Sequence, residues 1–197
     1  MQNFKAKENT NNTKERFDTI LYTLLDDYPE AAFHSSRVSQ LCKLLGLEME
    51  LPYEEIYKLE VSGMLHDIGK SIVPRSILNK PGRLTEKEWF EVKKHPEYSY
   101  WIIGALFEMW DIGEYVLHHH ERYDGLGYPL GLKGKEIPLL SRIISVADSY
   151  DAMTNPRPYK DKLDVDMAIL ELVRNKEKQF DPKIVDVFIK RVLGRCG

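Results

Sequence analysis

Apolar residues recur at steps of three and four along almost the whole of this chain, and no run alternates strictly two by two. A helix with one buried face has the first period and a half-buried strand the second. The pattern therefore predicts helices packed on helices, without a sheet. Phe17, Ile20, Leu21, Leu24 and Leu25 mark one such face over 16–28. Pro29, suited to a first helical turn, opens a second pattern that runs to Gly46, and 52–69 reads as a third helix with a proline start and a glycine stop. Thr85 and Glu88 stand in capping-box positions at the head of 85–95, and Pro96 interrupts before a further helix through "YSYWIIGALFEMW". "DIGEYVLHHHE", 138–153, 164–176 and 182–193 complete an all-α bundle of about eight or nine helices.

Two irregular stretches break the pattern, 70–84 and 122–137. Structureless loops beyond ~12–15 residues are usually functional or disordered, which marks the second as a loop with a role. The 197 residues, 43% of them apolar, suffice for one domain with a substantial core, expected over 14–197 behind a flexible polar lead-in over 1–13. A net charge of −3 argues against a DNA-binding surface, so an anionic ligand needs local positive charge or metal ions. Cys42 and Cys196 are far apart and form no CxxC pair, which fits a reduced cytoplasmic protein without thiolate metal chemistry. No apolar run approaches the ~18 residues of a membrane span, and the first residues lack a signal peptide's apolar stretch, so no membrane insertion is expected.

All six histidines fall between residues 34 and 120, three of them adjacent in "HHHERYDGLGYP" over 118–129. Glu30 and His34 lie four apart, a spacing that puts both side chains on one helical face, able to share a metal ion. His66 and Asp67 close an apolar helix. Helical neighbours point about 100° apart, so such a pair flanks a metal cluster, the aspartate bridging two cations while the histidine holds one. Lys70 reaches roughly the same side if the last turn continues. His95 ends another helix, His119 and His120 repeat the adjacent-pair logic, and Asp148 sits in the otherwise apolar "IISVADSY", where an unpaired carboxylate is costly. Each signal has an ordinary reading too: a capping or solvated histidine, a helix end favoured by its dipole, an aspartate paired with Arg142. Jointly they bring imidazole and carboxylate from four or five helices, as metal sites in helical bundles are built. Nitrogen and oxygen donors without sulfur favour Fe or Mn, with Zn, Ni or Mg as alternatives. Gly125 and Gly127 let the backbone turn tightly beside the double histidine.

"HDIGK", "ILNKPGRLTEKEW", "HPE", "HHHERYDGLGYPLGLKGKEIPLLSRIISVADSYDAMTNPRPYK" and "FDPKIV" together resemble the HD-GYP family, a branch of the HD-domain metal-dependent phosphohydrolases, over roughly residues 30–190. The resemblance implies an HD-domain helical bundle with two or three extra C-terminal helices, a centre of two or three divalent metal ions, and hydrolysis of cyclic di-GMP, with pGpG and GMP both open as the end product. By position it implies His66, Asp67, His95, His119, His120 and Asp148 as metal ligands, His34 as the upstream histidine and Glu30 as the extra ligand of three-metal members. Lys70 matches the lysine near the scissile phosphate, which with Asp67 makes up the expected catalytic pair. Arg157 and Lys160 match basic residues that contact substrate phosphate, and Gly127, Tyr128 and Pro129 match the signature loop. His118 has no counterpart and reads as a solvated neighbour. Ser99, Ser141 and Gln179 depart from the family's usual glycine, alanine and glycine, departures that bear on packing.

Two other readings stay open beside cyclic di-GMP hydrolysis. One is the same chemistry on another nucleotide, such as cyclic GMP-AMP. The other is a non-catalytic signalling module whose Gly127-Tyr128-Pro129 loop docks a diguanylate cyclase (GGDEF) domain. The resemblance also allows a homodimer.

Overall fold

The computed structural model describes residues 29–107, 109–155 and 162–195, without the side chains of 29–31 and 107. The lead-in over 1–13, the helix expected over 16–28, Arg157, Lys160, Cys196 and the side chain of Glu30 lie outside the described residues. The compact unit that carries the candidate site is His34–Gly197. Its described residues contain no sheet; a lone bridge joins Lys176 to Phe180.

Helix α1 (Pro29–Glu48) runs past Gly46. A Cβ on Gly46 would sit 3.1 Å from the Ile56 side chain, so this glycine marks a close approach to the next helix rather than a stop. Helix α2 (Tyr53–Leu65) crosses α1 at Gly63, whose added Cβ would lie 2.9 Å from the Ser39 Cα. It ends four residues before Gly69, and the chain tightens into a 3₁₀ turn over Ile68–Ile72. Gly69 is required there because a Cβ would fall 2.1 Å from the His95 carbonyl oxygen. The stretch 70–84, expected to be irregular, also holds a short helix α3 (Arg75–Leu78).

Helix α4 (Glu86–Val92) begins with the expected capping box: Thr85 Oγ1 accepts from the Glu88 N–H, and Glu88 accepts from the Thr85 N–H. His95 does not end this helix. It opens α5 (His95–Phe107), with Pro96 in the first turn, where the missing N–H has no helical partner to lose. Helix α6 (Trp110–Leu117) stops before the three histidines, which occupy the turn beyond it. Then come α7 (Leu139–Thr154), α8 (Val165–Arg174) and α9 (Pro182–Val187), the last unwinding into a wider turn over Phe188–Val192. Asp164 and Asp181 cap α8 and α9 by accepting from backbone N–H groups two residues on.

The core packs α7 against α1, α2, α8 and α9, with Val38, Leu45, Ile143, Ala147, Leu172 and Phe188 fully buried. The three departures from the family pattern are polar ties between these elements. Ser99 Oγ donates to the His66 carbonyl and accepts from the Gly69 N–H, which pins the His66–Asp67 turn to α5. Ser141 Oγ donates to the Tyr115 carbonyl and links α7 to α6. The Gln179 carbonyl accepts from the Tyr123 N–H, and its side chain accepts from Arg122.

Candidate metal centre

Five parts of the chain deliver donors to one place. Helix α1 brings His34, the end of α2 brings His66 and Asp67, the start of α5 brings His95, the turn after α6 brings His119 and His120, and α7 brings Asp148. The rings form a chain: His34 to His66 at 5.2 Å between centroids, His66 to His119 at 5.3 Å, His119 to His95 at 5.4 Å, His95 to His120 at 5.0 Å. Three sets have ligand atoms all within 4.8 Å of one another: His95, His119 and His120; His34, His66 and Asp148; and His66, Asp67 and His119. Asp67 faces both ends of the chain. Its Oδ1 is 3.3 Å from His95 Nε2, and its Oδ2 is 3.4 Å from His66 Nε2 and 3.8 Å from His34 Nε2.

One local device aims three of the rings. The last carbonyls of a helix have no intrahelical donor. Here the Nδ1–H groups of His66, His95 and His119 supply one, donating to Gly63, Val92 and Val116 in the last turns of α2, α4 and α6. A carbonyl only accepts, so the neutral ring's proton is on Nδ1 and a lone pair on Nε2. The Nε2 atoms of His34, His66, His95 and His119 and Asp67 Oδ1 are buried without a hydrogen-bond partner. Buried polar atoms are seldom left so, and a cluster of them converging on one space fits divalent cations.

Burial disfavours the charged imidazole and holds His95 down to about 4 and His120 to about 3, with the His95 imidazole adding to the effect at His120; burial also holds His119 well below the usual imidazole range. These three are neutral at pH 7, as ligands must be. His34 goes the other way. Burial opposes its charge, but Asp148 and Asp151 outweigh it and raise the pKa to about 9, so a cation bound at His34 would displace its proton. The Asp148 Oδ1 contact at 3.1 Å is out of line for a hydrogen bond and acts through charge, whereas Asp151 Oδ2 accepts from Nδ1 at 2.6 Å. Burial also resists ionisation of Asp67 and Asp148. Lys70, His66 and His95 nevertheless hold Asp67 far below the carboxylate range, and His34 and His66 do the same for Asp148. Lys70 Nζ meets Asp67 Oδ2 at 2.6 Å, because the 3₁₀ turn carries the lysine round to the aspartate's side. Arg142, an alternative partner for Asp148, pairs with Asp181 instead.

Asp151 was not singled out from the sequence. It holds His34 on one side and a two-pronged Arg37 on the other, at 2.6 and 2.9 Å, with Asn155 donating as well. Asp151 lies three residues after Asp148 and Arg37 three after His34, each pair on one helical face, but nothing local brings the two helices together. Asp151→Asn is expected to weaken metal binding about 10–100-fold, the usual cost of removing a partner that orients a ligating histidine. Titration of the metal-free protein with Mn²⁺ checks it, and unchanged affinity would show that His34 needs no such support.

The loop 122–137 is tied down from within. Glu121, 2% exposed, accepts from the N–H groups of Leu130, Gly131 and Leu132 at 2.7, 3.1 and 3.1 Å. This carboxylate directly follows the histidines in sequence, and no spacing there marks it as a loop anchor. His118 is not a solvated neighbour: it is 5% exposed, with Nδ1 3.8 Å from Glu121. Gly125 takes φ +84°, while Gly127 is a packing glycine whose Cβ would fall 2.3 Å from the Arg122 nitrogen. Tyr128 donates its N–H to the His120 carbonyl and lays its ring 4.9 Å from that histidine's, and the Tyr128–Pro129 bond is cis.

A family model described as "HD domain" matches residues 19–184. The chain belongs to the HD-domain family. Curated relatives include the cyclic di-GMP phosphodiesterase response regulator RpfG of Xanthomonas campestris, 41% identical over 78% of this chain and 41% of its own length. The cyclic di-GMP phosphodiesterase PA4108 of Pseudomonas aeruginosa is 40% identical over 81% of this chain and 38% of its own. The 3′3′-cGAMP-specific phosphodiesterase 1 of Vibrio cholerae is 36% identical over 80% and 37%. The chain thus spans about two fifths of the length of these relatives. Among solved structures, the HD-GYP protein Bd1817 of Bdellovibrio bacteriovorus shares the fold with a TM-score of 0.65 at 19% identity, over 83% of this chain and 52% of its own. The PgpH HD domain of Listeria monocytogenes, solved in complex with cyclic-di-AMP, shares it at 0.61 and 18%, over 86% and 91%. The all-α HD-domain bundle is therefore the fold. No helix among the described residues is long and apolar enough to cross a membrane.

Proposed function

We propose that this chain carries a metal-dependent phosphodiesterase that opens cyclic di-GMP to pGpG, with GMP as the alternative end product. The observation that supports it most is Asp67, one carboxylate facing imidazoles of both flanking ligand sets. In this reading His95, His119 and His120 would hold one divalent ion and His34, His66 and Asp148 another, with Asp67 available to both sets and Fe or Mn suited to the donors. Glu30 is the candidate for a third ion. Bound there, such ions would supply the lowering of a water pKa from 15.7 towards about 7 and the polarisation of a phosphoryl oxygen.

The chain's own groups do the rest. Lys70, one oxygen away from the centre through Asp67, stabilises charge at the phosphate or the departing oxygen. Arg157 and Lys160 grip the second phosphate. Tyr128 and the loop that Glu121 holds wall the site beside His120. The chain's net charge of −3 is no obstacle to a dianionic ligand, because two divalent ions bring +4 to the site itself.

A cyclic GMP-AMP substrate is the second reading, supported by the 36% identity to a relative named for that nucleotide. A docking role for the loop towards a GGDEF domain draws support from Leu126 and Leu130, 79% and 67% exposed on either side of Gly127-Tyr128-Pro129. Purified chain loaded with Mn²⁺ or Fe²⁺ and assayed on both nucleotides, products resolved by chromatography, tests the proposal. Turnover of cyclic di-GMP to pGpG is expected. Absence of turnover with every metal and both nucleotides would leave only the docking role.

A further inference from the structure

We propose that Trp89, Lys93 and Tyr128 form a nucleobase subsite in which Lys93 reads the guanine edge. Lys93 caps the C-terminal end of α4, two residues before His95. Its ammonium lies 5.3 Å from the centre of the Tyr128 ring and 5.9 Å from that of Trp89. Tyr128 in turn lies against His120, so the ammonium stands two aromatic steps out from the metal centre. The neighbouring Lys94 is different. It pairs with Glu91 at 2.8 Å, whereas Lys93 makes no ion pair with any described residue.

A cation held by two ring faces, with no carboxylate to neutralise it, is a donor waiting for an acceptor. Trp89 is 47% exposed although large and apolar, and aromatic faces stack with any nucleobase. Guanine presents two adjacent acceptors, O6 and N7, on one edge, the pattern lysine recognises. Adenine replaces O6 with an amino donor that an ammonium can only oppose. Phosphate binding alone gives no use to the two flanking rings. The subsite therefore sets a preference for guanine over adenine in the nucleotide whose phosphate the metal centre holds.

This inference rests on the cyclic dinucleotide reading above, and one experiment separates the two. KM for cyclic di-GMP and Ki for cyclic di-AMP as its competitor are measured on the metal-loaded chain and on Lys93→Met, which keeps the apolar stem. Metal content and melting temperature serve as controls. The preference for guanine, taken as the ratio of Ki to KM, is expected to fall about tenfold in Lys93→Met and to return in Lys93→Arg, which can donate to the same edge. Equal weakening of both nucleotides would make Lys93 a phosphate contact and overturn the base subsite. So would an unchanged ratio with active enzyme. A wild-type chain inactive on all cyclic dinucleotides would sink the proposed function and the subsite with it.

Discussion

Asp67→Asn is expected to lower turnover of cyclic di-GMP at least about a thousandfold while leaving the fold intact. The aspartate is the group that faces His95 on one side and His66 and His34 on the other. Its replacement by an amide of the same shape removes the carboxylate charge and leaves the packed volume unchanged. Losing several kcal/mol of transition-state stabilisation corresponds to three or more powers of ten in rate. Metal content should fall by at least one ion per chain. Lys70 loses its ion-pair partner, but at about a third exposed it can turn to water, so stability changes little. Turnover and elemental analysis on the same preparation check this. A variant that keeps both full metal content and activity would remove Asp67 from the centre of the scheme.

Glu121→Ala should act through stability and the loop rather than through the metal. Three backbone N–H groups of Leu130, Gly131 and Leu132 lose a charged acceptor that no water easily replaces. At about 1 kcal/mol or more for each, the cost is about 3 kcal/mol, which for a chain of this size lowers the melting temperature by about 6–12 °C. Glu121→Gln keeps a carbonyl oxygen in place and should lose about half as much. Limited proteolysis gives a sharper readout: cleavage in 122–137 should accelerate in Glu121→Ala well before global unfolding, because the segment opens locally. A melting temperature within a degree of the parent's, with no new cleavage, would show that the loop's other ties suffice. The Tyr123 and Asp124 N–H groups, which donate to Gln179 and Lys178, would then carry it.

The pattern of apolar residues was a good guide to which segments are helical and a poorer guide to where they stop. Gly46 and Gly69 looked like terminators because glycine commonly follows a helix. Both are instead places where another element comes too near for a side chain, a fact about a neighbour distant in the chain. Pro96 looked like an interruption and is the first turn of α5, so His95 changed from the end of one helix to the start of the next. The candidate ligand types were legible because histidine and aspartate in apolar surroundings are costly unless partnered. Their partners were not legible. His34 and Arg37 of α1 meet Asp151 of α7 across 117 and 114 residues of chain, and no local pattern encodes that meeting.

The sequence by itself determined the helices, the capping box at Thr85, the donor chemistry of the cluster and the glycine-bearing loop, since these follow from local spacing and from what each side chain can do within a few residues. Only the tertiary structure decided that Nε2 of His34, His66, His95 and His119 faces the centre, that Asp67 faces imidazoles of two candidate sets, and that Glu121 and His118 are buried rather than solvated. The physical reason is range. Periodicity and capping are set within a turn or two of helix, whereas the aim of a ligand is set by the carbonyl or carboxylate that folding brings to its far side.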